Sequence, residues 1–188
     1  MIPKAMNIGY RHFDTALFYN SQRVLGNCLG KEFSEGSFTR QEVFITTKVF
    51  HDTGRIGLNK IGNSLPLGDE SMIGQKLKDA IAEQIERCMS ELMLGYIDLL
   101  LMHWPGEFFG KNYQKNRQQR KDCWEVFEEY LKQGKLKAIG VSNFTKKHIE
   151  DLMEDCSVAP MVNQLEINPY MAQPRLVQYC QSKGIFHF

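Results

Sequence analysis

Four side chains in this 188-residue chain form a set that could move a proton: a carboxylate, a phenol, an ammonium and an imidazole. They are Asp14, Tyr19, Lys48 and His103. A free phenol titrates near ~10, and a nearby ammonium favours the phenolate, which brings the phenol closer to working pH. Asp14 would hold and orient the lysine. Taken singly, each residue could be a helix cap, a solvated strand end or a packing residue. Together they are equipped for proton transfer to a carbonyl oxygen.

The elements that must position these residues are predicted by hydrophobic patterning. Short apolar runs alternate with longer segments of helical period, which is typical of repeated βα units around a parallel sheet, so the predicted fold class is α/β. The predicted strands are residues 10–14, 43–47, 97–102, 137–141, 161–165 and 185–188. Polar residues follow each of the first five strands. In parallel α/β barrels the site is built at the C-terminal ends of the strands.

Helices are predicted between these strands. One runs from Gln22 to about residue 33, a second carries an apolar stripe over residues 77–92, and a third covers residues 124–131. Thr145 is placed to cap a fourth helix, and a fifth begins after Pro174 and ends at Gly184. Residues 51–74 contain five glycines and a proline without a sustained period, so they are predicted to be a long surface loop. Residues 106–120 are polar and are also predicted to be a loop.

Composition excludes several classes of function. The 23 Lys and Arg residues balance 22 Asp and Glu residues, so the charge gives no footprint for nucleic acid or an anionic membrane. The longest apolar run is far shorter than the roughly 20 residues of a membrane span, and no signal peptide is evident, so a cytoplasmic protein is expected. The five cysteines are scattered without Cys-x-x-Cys spacing, which predicts neither disulfides nor a metal site.

Several sequence blocks together resemble the aldo-keto reductase family. Residues 9–16 read GYRHFDTA, with Tyr19 five residues after the aspartate and Gly26 seven after the tyrosine. The likeness continues through Thr47-Lys48, the HWP of residues 103–105, the KAIGVSNF of residues 137–144 and the NQLE of residues 163–166. The blocks occur in family order and cover essentially the whole chain.

The resemblance implies a (β/α)8 barrel that transfers hydride from NADPH to an aldehyde or ketone, a small-molecule carbonyl substrate. By that likeness Tyr19 is the general acid, Lys48 and Asp14 tune it, and His103 orients the carbonyl. Trp104 would line the substrate pocket. The nicotinamide carboxamide of NADPH/NADP+ would be hydrogen-bonded by three further residues, Ser142, Asn143 and Gln164. The cofactor would carry the redox chemistry while the protein supplies positioning and a proton.

The chain also departs from the family pattern. Ser21 and Gln22 stand where the family usually has asparagine and glutamate. A (β/α)8 barrel usually takes ~250 residues, so residues 1–188 are expected to form one reductase domain, truncated at both ends, with about six of eight strands. The completed protein is expected to be a monomer, and the chain alone is expected to bind NADPH weakly. A non-catalytic reductase-like binding module and an inactive fragment stay open as alternatives.

Overall fold

A computed structural model describes residues 1–50, 72–106 and 112–188 of the chain. The described residues form one sheet of six parallel strands, which lie side by side in chain order, with helices between them. The strands are β1 His12–Asp14, β2 Phe44–Val49, β3 Ile97–Met102, β4 Leu136–Ser142, β5 Val162–Gln164 and β6 Phe186–His187. The helices are α1 Ile2–Asn7, α2 Gln22–Ser34, α3 Gln75–Leu92, α4 Tyr113–Lys132, α5 Lys146–Asp155 and α6 Pro174–Ser182.

The strand predictions are confirmed, with ends that shift by no more than two residues. β1 begins two residues later than expected, and β2 continues two residues further, so Lys48 lies inside the strand and not after it. Ser142 and Gln164 are the last residues of β4 and β5. Parallel strands are buried on both faces, so no apolar-polar alternation marks their ends.

The sheet is strongly curled. Gln164 Nε2 on β5 donates a hydrogen bond to Asp14 Oδ2 on β1 over 2.9 Å. Four strand spacings separate these strands, which is about 19 Å in a flat sheet. Only a sheet that bends toward a closed barrel can bring the two side chains into contact. The six curled strands match the incomplete (β/α)8 barrel that the family resemblance implies.

Two separate apolar clusters follow from this curvature. The larger lies between the outer face of the sheet and the helices, and includes Ile45, Leu100 and Trp124. The smaller fills the inside of the curled sheet with Leu99, Leu101 and Val162. Because successive side chains of a strand point to opposite faces, β3 supplies both clusters. Asp14, Lys48 and Gln164 therefore project to the inner side, at the C-terminal ends of their strands.

The predicted loop over residues 106–120 is wrong from Tyr113 onward, because α4 begins there. Asn112 caps the helix, accepting a hydrogen bond from the Lys115 amide. The first turns of α4 bury polar side chains, notably Gln119 and Arg120, each of which has a hydrogen-bond partner elsewhere in the fold. A helix whose buried face is polar carries no apolar stripe, so hydrophobic periodicity cannot detect it.

The other helix predictions are confirmed within a few residues. Thr145 caps α5, accepting from the His148 amide, and Pro174 is the first residue of α6. Of the long predicted loop, residues 51–71 lie outside the described residues, and residues 72–74 are neither helix nor strand. In the part of the chain that the structure describes, no helix is long and apolar enough to cross a membrane. The same residues contain no cluster of metal-binding side chains.

Arg40 holds together the N-terminal ends of β2 and β3. This end of the sheet is opposite the one that carries Asp14 and Lys48. Its guanidinium donates to the carbonyl oxygens of Val43, Leu94 and Tyr96 and to Asp98 Oδ2, which lies 2.6 Å away. It also lies over the Tyr96 ring at 3.8 Å. Asp98 in turn accepts from an amide of β2. One side chain thus joins the segments that enter β2 and β3.

Arg40→Met should lower the free energy of unfolding by about 3 kcal/mol, because the mostly buried Asp98 carboxylate loses its cation. Urea denaturation measures the change. Lys31→Met is the matched control, since the ion pair between Lys31 and Glu35 is exposed and its loss should cost less than about 0.5 kcal/mol. Equal losses in the two variants would contradict a structural role for the Arg40 network.

Candidate active site

The structure gathers the predicted catalytic residues around one position, the inner rim of the curled sheet. Asp14 ends β1, Lys48 lies near the end of β2, and His103 follows β3 directly. Tyr19 ends a short 3-10 helix, Leu17–Tyr19, which the chain enters soon after leaving β1. The next residue, Asn20, turns the chain with a left-handed backbone (φ 54°).

Lys48 forms the electrostatic centre of this group. Its side chain is about 2% exposed, and its Nζ donates to Asp14 Oδ1 and to the Thr15 carbonyl oxygen, the latter over 3.0 Å. The same Nζ lies 5.0 Å from the centre of the Tyr19 ring. A buried ammonium must be paired, and Asp14 meets that need. The lysine charge is thereby held beside the tyrosine, which is 50% exposed and open to a ligand.

His103 completes the group and also contacts Tyr19. The two rings meet edge to face with centres 5.8 Å apart. The imidazole is buried, and its Nδ1 has no hydrogen-bond partner among the described residues. Burial lowers the pKa of His103 to about 4, and the Lys48 charge adds to this shift, while Asp14 opposes it. The ring is therefore neutral at physiological pH and has one donor and one acceptor nitrogen.

The lowered pKa of His103 makes stability depend on pH. The unfolded imidazole takes up a proton near pH 6.5, whereas the folded one resists until about pH 4, so the unfolded state binds more protons in that interval. The free energy of unfolding should rise as the pH is raised from about 4 to 6.5. His148 contributes in the same direction, since burial also lowers its pKa to about 4. His103→Gln should make the rise smaller, measured as urea midpoints at several pH values. If the free energy of unfolding rose equally with pH in this variant, the lowered pKa of His103 would be contradicted.

The predicted cofactor-binding residues lie together at the ends of β4 and β5. The Asn143 Nδ2 donates to the His103 carbonyl oxygen over 3.0 Å and to Ser142 Oγ over 3.1 Å. The Asn143 backbone is left-handed (φ 62°) and its amide donates to the Gln164 carbonyl oxygen. The side-chain amide of Gln164 is bound to Asp14. The cofactor group and the catalytic group are therefore linked through Asp14 and His103.

Two aromatic residues lie beside the imidazole. The Trp104 ring is half-buried and stacks beside His103 at 6.4 Å between centres. The Phe50 ring lies closer, at 4.5 Å, and sequence reasoning missed it. Both backbone groups of Phe50 are held by the Gln84 side chain of α3. Its position two residues after Lys48, and so on the same side of the chain, was a signal that could have indicated it.

Ser21 and Gln22, which depart from the family pattern, have defined partners. Ser21 Oγ lies 2.9 Å from Thr15 Oγ1. The buried Gln22 amide accepts from the Thr47 hydroxyl over 2.6 Å and donates to Glu91 over 3.0 Å. The Gln22 bonds connect the start of α2 to β2 and α3.

A curled parallel sheet with its polar side chains at the C-terminal strand ends is the architecture of a βα-barrel enzyme. Comparison with known proteins identifies the family within this class. The model of the Aldo/keto reductase family matches residues 1–186, so the chain belongs to that family.

Individual relatives agree with this assignment. The chain is 32% identical to the aldose reductase of Encephalitozoon cuniculi, with 98% of the chain and 56% of the relative covered. It is 34% identical to the glyoxal reductase of Bacillus subtilis, with 98% and 54% covered. Among solved structures, the silkworm Bombyx mori aldo-keto reductase AKR2E5, complexed with NADPH, superposes with a TM-score of 0.77 and 32% identity, covering 99% of this chain and 50% of that one. The chain thus spans about half the length of the relatives it matches.

Proposed function

We propose that this chain carries the carbonyl-reducing site of an aldo-keto reductase that transfers hydride from NADPH to an aldehyde or ketone, with Tyr19 as the general acid. The observation that carries the proposal is the placement of the buried Lys48 ammonium beside both Asp14 and the exposed Tyr19 ring, with the neutral His103 ring edge to face against Tyr19. An acid that is open to substrate beside a fixed positive charge is what proton donation to a carbonyl requires.

The Tyr19 hydroxyl would donate its proton to the carbonyl oxygen as negative charge develops there. The phenolate left on Tyr19 is stabilised by Lys48, whose charge is already in place, so little reorganisation accompanies the step. Asp14 keeps the lysine oriented through their ion pair. Neutral His103 can donate a hydrogen bond to the same carbonyl oxygen without competing for the proton, because its lowered pKa keeps it from acting as a cationic acid.

The residues at the ends of β4 and β5 fit the carboxamide of a nicotinamide. A carboxamide has one acceptor oxygen and two N–H donors. The Asn143 Nδ2 is bound to His103 and Ser142, so its Oδ1 can accept from the carboxamide N–H. The Gln164 amide can contribute a further bond beside the one that it makes to Asp14. NADPH, when bound there, supplies the hydride.

Substrate selection would fall to the aromatic side of the site. Trp104 and Phe50 both lie beside the imidazole and would offer flat apolar surfaces to a carbonyl compound. The monomeric state and cytoplasmic location expected from the sequence stay predictions.

Two measurements on this chain test the proposal. Energy transfer from tryptophan to the nicotinamide during NADPH titration reports binding, and loss of the reduced nicotinamide absorbance with a panel of aldehydes and ketones reports turnover. Turnover with at least one carbonyl compound supports the proposal. Binding without turnover would favour a reductase-like binding module. Absence of both binding and turnover would favour an inactive fragment.

A further inference from the structure

The short segment that carries His103, Trp104 and Pro105 is fixed along its backbone at three points. The His103 amide donates to the Val49 carbonyl oxygen over 2.9 Å, and the His103 carbonyl oxygen accepts from Asn143 over 3.0 Å. These two bonds come from the neighbouring strand and strand end. The third comes from the helix layer: Arg120 Nη1 donates to the Pro105 carbonyl oxygen over 2.7 Å.

Arg120 is an unusual residue to find at this place, because its side chain is about 2% exposed. Its Nη2 donates to Asp151 Oδ2 on α5 over 3.2 Å, and Asp151 is also fully buried. Asp151 accepts further from Lys147 over 2.6 Å and from the Tyr113 hydroxyl. The buried charges are therefore compensated, as buried charges must be.

The guanidinium connects two segments of the site. One terminal nitrogen binds the segment that follows β3, and the other binds α5, which begins three residues after Asn143. The planar guanidinium holds its two nitrogens in a fixed fork, so the two bonds define one orientation between the segments. A lysine ammonium is a single point and does not reproduce that fork.

We propose that Arg120, held by Asp151, is a positioning residue that fixes the segment of Trp104 and Pro105 against α5 and thereby sets where His103 and Trp104 stand toward the substrate. This inference rests on the proposed function of the site. Arg120 does not touch the reacting groups and acts through the backbone of this segment. Its removal should free the segment on the substrate side while Ser142 and Asn143 keep their places at the end of β4.

The chain contains two tryptophans, which makes the position of Trp104 directly observable. Fluorine NMR of protein labelled with fluorotryptophan gives one resonance for each, and Trp104→Phe assigns them. Arg120→Met should shift and broaden the Trp104 resonance and increase its sensitivity to solvent deuterium, while buried Trp124 changes less. Arg117→Met is the matched control, because Arg117 also joins α4 to α5. It pairs closely with Glu154 and Asp155 and more distantly with Asp151, at 3.8 Å, and these described partners all lie on α5.

A Trp104 resonance that is unchanged in Arg120→Met, or changed equally in Arg117→Met, would overturn the proposal. If Arg120→Met does not fold, Arg120→Lys keeps the charge for Asp151 and should still disturb Trp104, and an undisturbed Trp104 would count against the inference. In a turnover assay, Arg120→Met should reduce kcat/KM for the carbonyl substrate roughly 10-fold with the Kd for NADPH unchanged, since small misplacements in a site are costly. Absence of turnover in the unsubstituted chain would defeat the proposed function, whereas the NMR result would still decide the positioning role.

Discussion

Tyr19→Phe should reduce the kcat for carbonyl reduction roughly 10²- to 10⁴-fold, the contribution typical of a positioned general acid. The substitution removes only the hydroxyl, and the ring can keep its edge-to-face contact with His103 and its place beside Lys48. The Kd for NADPH should change little, because the residues proposed to hold the nicotinamide are at the ends of β4 and β5. Initial rates at saturating NADPH and carbonyl substrate, together with an NADPH titration, measure both effects.

Tyr10→Phe is the matched control, since it makes the same chemical change at an exposed residue before β1, away from the rim. Its kcat should equal that of the unsubstituted chain. If Tyr19→Phe retained full turnover, the hydroxyl would have no part in the reaction and the gathering of Asp14, Tyr19, Lys48 and His103 would be a matter of packing. Loss of NADPH binding in the same variant would instead indicate a structural defect.

The strands were predictable because parallel strands read as continuous apolar runs. Residues 97–102, with a run of leucines and no charge beyond Asp98, form β3 with the bounds expected. The topology then fixed where the polar residues had to lie, because all C-terminal strand ends meet at one rim. Asp14, Lys48 and His103 could be placed together for that reason, without knowledge of any contact.

The remaining features depend on contacts that no local pattern records. The bond between Gln164 and Asp14 joins residues that are 150 positions apart and exists only because the sheet curls. The first half of α4 buries Arg120 and Gln119, so the apolar period that would mark a helix is missing. Phe50 follows the end of β2 but is apolar, so it does not belong to the polar residues whose types suggest chemistry.

The two glycines of α2 also differ in a contact that the local sequence does not record. Gly26 and Gly30 both interrupt the helical pattern of residues 22–33, and from the sequence both predict a weak helix. In the structure a Cβ on Gly30 would meet nothing within 4 Å. A Cβ on Gly26 would lie 2.2 Å from the Leu92 carbonyl oxygen at the end of α3. One glycine weakens the helix, and the other allows two helices to approach.

Gly26→Ala should therefore lower the free energy of unfolding by about 2 to 3 kcal/mol, the upper part of the usual range for overpacking. The obstructing atoms belong to the backbone of α3, so they cannot swing aside as a side chain can, and α2 must move away. That movement would strain the buried Gln22 amide, which bonds to Thr47 and Glu91 at the start of the same helix. Urea denaturation gives the stability change, and the loss of the Gln22 bonds should appear as faster amide exchange in β2.

Gly30→Ala makes the identical substitution one turn further along α2 and is expected to have the opposite sign. It should raise the free energy of unfolding by about 0.5 to 1 kcal/mol, because alanine restricts the unfolded chain and has room in the folded one. The pair thus separates helix propensity from helix contact, since propensity alone would make both variants more stable. If Gly26→Ala were as stable as Gly30→Ala, the close approach of α2 to Leu92 would not exist in solution, and the path of the chain from Tyr19 to β2 would differ from the one described.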